Sequence, residues 1–277
     1  MKTFNPPHKD YGKNYGHYGP FWGVTLGRIS VLSALLAMIL LGCRYNTVRN
    51  TDRIAREMRS YSTKFSRTEP VLSEGGIWIN GGISGDDLWG NIQTMPGMVF
   101  GVSEPTKYGD PTAILKGEWG PDQEAQVTVR VVDYARLKGS SCHEVEVRLR
   151  STVNGAARMI TGYEVYGSLM ANNPYLHIAS WGGPNGVWVN MDSKSPAVYL
   201  KDGDILKGTV TGKNPVVITL YINGIQMLQV EDRGEYTFSD GKRYGPWTSG
   251  APGIGFFDNV DEECSAFGIS AFSATGR

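Results

Sequence analysis

The sequence predicts an all-β protein, a two-sheet antiparallel jelly-roll sandwich preceded by an N-terminal membrane segment and a short helix. Three observations carry that prediction. From about residue 70 onward, apolar and polar residues alternate with period two. Glycine fills 36 of 277 positions, about twice the usual ~7%, and Gly, Pro, Asp or Asn clusters separate the alternating runs. No helical period appears after residue 70, and a body of roughly 210 residues suits one sandwich or barrel domain. With 11% aromatic and 19% charged residues, the body has the composition of a folded chain, not a disordered one.

Taken in order, residues 1–23 read as a disordered tail, rich in Tyr and Gly over 11–23. Residues 24–43 read as a signal or anchor. Ile29 to Leu41 form an uncharged run, shorter than the ~20 apolar residues that span a bilayer and suited to a signal-peptide core. Leu40-Leu41-Gly42-Cys43 closes the run and resembles a bacterial lipobox, which implies lipidation of Cys43. Gly23-Val24-Thr25-Leu26 resembles a prepilin leader, with Arg28 standing where the mature pilin carries glutamate. An uncleaved signal anchor is the third reading. Arg44, Arg49, Arg53, Arg56 and Arg59 follow the run, and positive charge there opposes outward translocation. All three readings put the body outside the cytoplasm, tethered to a membrane.

Residues 44–66 read as a helical stalk, because Val48, Thr51, Ile54, Ala55, Met58, Tyr61 and Phe65 recur at steps of three and four. Residues 67–277 are the jelly-roll body. Residues 1–63 hold 9 Lys+Arg against 3 Asp+Glu, and the remainder holds 18 against 24. A basic leader therefore precedes an acidic body, which excludes a body built to grip nucleic-acid phosphates. In an oxidising compartment Cys142 and Cys264 read as a disulfide.

Within the body, Ala125, Val127, Val129 and Val131 alternate with Glu124, Gln126, Thr128 and Arg130. Val145, Val147 and Leu149 alternate with Glu144, Glu146, Arg148 and Arg150. Val216, Ile218, Leu220 and Ile222 form a third run, and Asn223-Gly224 marks a hairpin turn. Further strands are expected at 113–119, 157–166, 175–181, 204–211, 227–231, 253–257 and 265–273.

Six segments, in order, resemble the concanavalin A-like lectin/glucanase superfamily. They are Glu144-Val-Glu-Val-Arg-Leu-Arg150, Gly162-Tyr-Glu-Val165, Leu206-Lys-Gly-Thr-Val-Thr-Gly212, Leu220-Tyr-Ile-Asn-Gly224, Ser249-Gly-Ala-Pro-Gly-Ile-Gly-Phe-Phe257 and Phe267-Gly-Ile-Ser-Ala-Phe272. The resemblance implies a curved sheet whose concave side takes a glycan. Alternation puts Glu144, Glu146, Arg148 and Arg150 on one strand face. Glu164 and Tyr166 share a face of the next strand, as do Tyr175, His177 and Trp181 of the one after. If the three strands are neighbours, these nine residues form one groove. The bland alternative is a ladder of cross-strand ion pairs on a solvated face.

For catalysis, retaining glycosidases of this scaffold carry Glu-x-Asp-x-x-Glu on one strand, placing two carboxyls ~5 Å apart. Here Glu144 and Glu146 match the first two carboxylates, and Arg148-Leu149-Arg150 follows with no third. A polysaccharide lyase needs a cation for the uronate and an acid/base pair, for which Arg148, His177, Tyr166 and Glu146 are of the right types. The Asp258-Asn-Val-Asp-Glu-Glu263 run is a candidate Ca²⁺ loop, and no cofactor is otherwise expected. The expected function is non-catalytic glycan binding or surface interaction. A lyase or hydrolase using the same groove and a pilin-like subunit displaying the sandwich are the alternatives.

Overall fold

The computed structural model describes residues 58–84, 89–102, 109–137, 143–258 and 264–277, all within one compact unit spanning Ala55–Arg277. The tail, the apolar run with Cys43, the acidic residues 259–263 and Cys142 lie outside the described residues. Cys264 opens a short 3₁₀ turn, but its side chain, and so the expected disulfide, also lies outside them. Among the described residues, no helix is long and apolar enough to cross a membrane.

Among the described residues fifteen strands follow one another: β1 (Arg59–Thr63), β2 (Trp78–Asn80), β3 (Ile92–Met95), β4 (Met98–Gly101) and β5 (Thr112–Leu115) come first. Next are β6 (Gln123–Val131), β7 (His143–Asn154), β8 (Met159–Ser168), β9 (Leu176–Gly183) and β10 (Trp188–Asn190). The chain closes with β11 (Ile205–Thr211), β12 (Val216–Ile222), β13 (Ile225–Asp232), β14 (Ala251–Asp258) and β15 (Phe267–Gly276). One sheet has the order β13-β12-β11-β6-β15-β4-β3, with β1 also paired to β15, and the other runs β10-β9-β8-β7-β14-β5-β2. The all-β sandwich expected from the alternation is the fold observed.

The inner faces are the apolar halves of the alternating runs. Val127 and Val129 of one sheet, with Val145, Val147, Leu149 and Val165 of the other, are buried in a single core, each contributing about 1.5–3 kcal/mol. The two sheets approach closely at Gly208, where an added Cβ would lie 2.8 Å from Val165 and 3.0 Å from Leu149. A bulge between Ile269 and Ala271 changes the inward phase of β15, so that Phe267 and Ile269 are followed by Phe272 and Ala274. Asn223 (φ 51°) and Gly224 (φ 80°) turn β12 into β13, as a two-residue hairpin with both central residues left-handed requires.

The stalk is corrected where it meets the described residues. Arg59–Thr63 is a strand, paired in register with Phe272–Gly276. Tyr61 and Phe65 belong to a period of two as well as of four, and the alternating burial of β1 reveals which one holds. The body therefore begins before residue 67.

Candidate functional site

The outer face of the seven-stranded sheet carries the predicted polar groups. Cross-strand register sets them in rows: Gly255, Glu146, Tyr166 and His177 lie abreast, and so do Gly253, Arg148, Glu164 and Ala179. Trp181 lies between Gly162 of β8 and Trp188 of β10. The three strands expected to be neighbours are neighbours. Eight of the nine predicted residues share this face, either within β7, β8 and β9 or, for Tyr175, at the residue before β9.

Arg150 does not join them. A register shift between Leu149 and Thr152, with Arg150 at φ 47°, takes its side chain off the row. Its guanidinium donates instead to the carbonyls of Pro121 at 2.6 Å, Trp247 at 2.7 Å and Gly212 at 2.8 Å. Its own backbone N–H donates to Gln123 Oε1 at 2.8 Å. Arg150 is thus a fully buried clasp on three chain segments, because strict alternation fails at a bulge.

Arg148 is also withdrawn from solvent. At 1% exposure it donates to Glu146 and to Glu164, each at 2.7 Å, with its guanidinium 5.5 Å from the Trp89 ring and 5.3 Å from that of Trp181. The Trp181 indole N–H donates to Glu164. Burial works against the Arg148 charge, but Glu164, Glu146 and Asp110 together hold it above its ordinary value. The cluster fits over β14 because position 255 is glycine: a Cβ there would lie 2.0 Å from Glu146 Oε2 and 3.0 Å from Arg148 Nε. Glu146 Oε1, Arg148 Nε and Trp89 Nε1 are buried without hydrogen-bond partners among the described residues.

Beside this cluster opens a pocket of about 370 Å³, lined by Asp110, Glu144, Glu164, Tyr166, Tyr175, His177, Trp181, Asn185, Trp188 and Phe257 among others. Tyr166 donates to Asn190 at 2.9 Å, His177 Nδ1 meets Asp192 at 2.9 Å, and Tyr175 donates to Glu144. Trp188, 36% exposed, leans on Trp181 with ring centroids 6.1 Å apart and planes 35° apart.

Electrostatically the pocket is crowded with acid. Burial, then the charge of Glu164, pushes Asp110 up to about 7, with Arg148 opposing. Burial, with the charges of Glu164 and Asp110, pushes Glu144 up to about 8 against the hydrogen bond from Tyr175. Glu146 and Glu164 are raised as well, chiefly by burial, with Arg148 opposing in both. One guanidinium cannot neutralise four carboxylates, so the cluster retains protons near neutrality.

The uronate-neutralising cation expected of a lyase is therefore not offered by either arginine. Arg148 is consumed by Glu146 and Glu164, and Arg150 is a structural clasp. His177 and Tyr166 do line the pocket, whereas Glu146 lies in the ion cluster and is 0% exposed. Among the described residues, no three His, Cys, Asp or Glu side chains are grouped to hold a metal ion.

Asp110, Asn185, Trp188, Phe257 and the supporting Trp89 were not legible as site residues by alternation on the three long strands. Trp188 had a signal: Gly182-Gly-Pro-Asn-Gly186 is a turn sequence, and a hairpin across it sets Val187-Trp188-Val189 back against β9. Asp110 and Trp89 come from the distant β3–β5 region, and only the sheet order brings them here.

No family model and no curated protein sequence matches the chain. Solved structures are similar to it. The Emp47p carbohydrate recognition domain is 13% identical, with a TM-score of 0.43 over 80% of this chain and 98% of that one. Winged bean acidic lectin complexed with methyl-α-D-galactose is 10% identical, with a TM-score of 0.42 over 79% and 98%. An inactivated mutant of β-agarase B in complex with agaro-octaose is 14% identical, with a TM-score of 0.46 over 79% and 94%. The fold that the strand pairing displays is a two-sheet antiparallel sandwich.

Proposed function

We propose that this chain is a glycan-binding protein whose ligand seats in the pocket on the outer face of the seven-stranded sheet. The observation that carries the reading is the half-open aromatic wall. Trp188 is exposed beside Trp181, and Tyr166 and Tyr175 stand on the same face. Such rings offer their flat faces to sugar C–H surfaces, while the carboxylates and His177 supply hydrogen-bond partners for hydroxyls. Trp188 is the better probe, because Trp181 also donates to Glu164 and packs on Arg148, so its loss would damage the ion cluster.

The test is retention on a panel of insoluble polysaccharides, followed by calorimetry with oligomers of any polymer that retains the protein. Trp188→Ala is expected to weaken binding at least tenfold with the thermal midpoint little changed. Retention by none of the polymers, or retention indifferent to Trp188→Ala, would end the reading.

A second reading is favoured by Glu144, which carries its proton near neutrality and lines the pocket. That is the state required of a general acid toward a glycosidic oxygen. Mass spectrometry of the same polymers after incubation separates the two. Shortened chains with hydrated ends, lost in Glu144→Gln, would make this a hydrolase; intact chains keep it a binder.

The N-terminal segment adds a location to this function: an exported protein held at a membrane through residues 24–43. Its support is the apolar run and the residues around Cys43. The mature N-terminus tests it, since acylated Cys43, Val24 or the original Met1 each correspond to one of the three tethers.

A further inference from the structure

We propose that the glycan taken by this pocket is positively charged, a polymer or oligomer bearing free amino groups on its sugars. The proposal rests on reading the pocket as a glycan site and names the class of ligand that would fill it.

Three carboxylates line the pocket, each giving one oxygen to a protein donor. Asp110 accepts from Asn185 at 2.9 Å, Glu144 from Tyr175, and Glu164 from Arg148 and Trp181. The second oxygen of each has no hydrogen bond or ion pair among the described residues. Asp110 and Glu164 are only 8% and 3% exposed, so the pocket they line is the route by which water or a ligand reaches those oxygens. No lysine or arginine lines the pocket among the described residues. A neutral sugar would cover these acids without bringing the counter-charge they lack, and a uronate would add like charge. An ammonium group pairs with the acids and is also attracted to the faces of Trp181, Trp188, Tyr166 and Tyr175.

The same chemistry couples binding to protons. Asp110 at about 7 and Glu144 at about 8 are partly protonated at neutral pH, and an incoming cation displaces those protons. The groups facing Asp110 are Arg148, Glu164, Asn185, Glu144 and Glu146. Those facing Glu144 are Tyr175, Glu164, Asp110 and Arg148, with Phe257 beside it on β14. Glu146 lies abreast of Tyr166, and His177 is bonded to Asp192. A ligand whose charge does not titrate should bind more tightly as pH rises.

The experiment is calorimetry on the full chain in 0.3 M salt. The probes are hexamers of glucosamine, N-acetylglucosamine, a uronic acid and trimethylated glucosamine. The glucosamine hexamer at pH 6 is expected to bind at least tenfold more tightly than its acetylated twin. The trimethylated oligomer should gain at least fivefold between pH 6 and pH 9 and release protons on binding. Asp110→Asn should cut the cationic-over-neutral ratio at least threefold, whereas Glu231→Gln, an exposed acid away from the pocket, should not change it. Equal or tighter binding of the acetylated or uronate hexamer would overturn the proposal and keep the glycan reading. Failure of these oligomers and of every polysaccharide would overturn both. Saturable Ca²⁺ binding abolished by Asp110→Asn would replace the ammonium group with a metal ion.

Discussion

Arg148 illustrates how one residue can decide both stability and chemistry. Its charge is matched by two glutamates at 2.7 Å and lies beside two indoles that pack edge-on against each other. A buried ion pair of this kind adds little over a well-packed apolar pair, but removing one partner strands the other. Arg148→Met should therefore cost about 3–5 kcal/mol, read from denaturant melts. The accompanying change Glu146→Gln should recover part of that loss, because one stranded charge is then absent. Gly255→Ala probes the same cluster from beneath. Its methyl would meet Glu146 Oε2 at 2.0 Å, and overpacking of this kind costs about 1–3 kcal/mol. The affinity for ligand should fall with it, since Glu164 is held through Arg148. A Gly255→Ala protein with wild-type stability and affinity would mean that the cluster is not fixed by close packing on β14.

At the scale of elements, the long strands were legible and, β5 apart, the short ones were not. β6, β7 and β12 announce themselves through seven or more alternating residues. β2 and β10 have three residues each, too few for a period to be counted, and their place comes from pairing with β5 and β9. β7 marks the other limit. Its alternation places Glu144, Glu146 and Arg148 correctly, then fails at Arg150, where a bulge inserts a residue that no side-chain pattern announces. β1 is a case of two periods sharing the same residues. It is held by Tyr61, which donates to Glu74 and lies 5.9 Å from the Trp78 ring and 6.4 Å from that of Phe272. Tyr61→Ala should cost about 1–3 kcal/mol, as a lowered denaturant midpoint with an unchanged slope. If stability is unaltered, β1 is an appendage and not part of the sandwich.

For the whole molecule, the acid cluster sets how stability varies with pH. Asp110 and Glu144 rise from ordinary values of 3.8 and 4.5 to about 7 and about 8 on folding. The folded chain thus binds more protons than the unfolded one between roughly pH 4 and 8. Their contribution is fully present below the unfolded values and is lost as pH rises through the folded ones. The thermal midpoint should be lower at pH 8.5 than at pH 5, by about 5 °C or more for a domain of this size. Glu144→Gln should flatten part of that slope, and a midpoint that climbs across the range would show that other groups dominate. A saturating ligand of fixed charge, such as the trimethylated oligomer, should reverse the trend, because it pairs with the acids once they are ionised.

The position of β15 has a consequence for the order in which the protein can be made. This strand lies in the middle of its sheet, with β6 on one side and β1 and β4 on the other. A growing chain that has delivered β1 to β14 still lacks the strand that joins them, and pairing across so many residues is slow to begin with. Until β15 arrives, β6 and β4 present open edges, and the inner residues Val127 and Val129 lack the cover of Phe267, Ile269 and Phe272. Nascent chains halted before Phe267 should be protease-sensitive and prone to aggregate. Synthesis thus leaves the sandwich unlocked until this one strand emerges, so the chain's last-made sheet member is also the one that fixes the others in place.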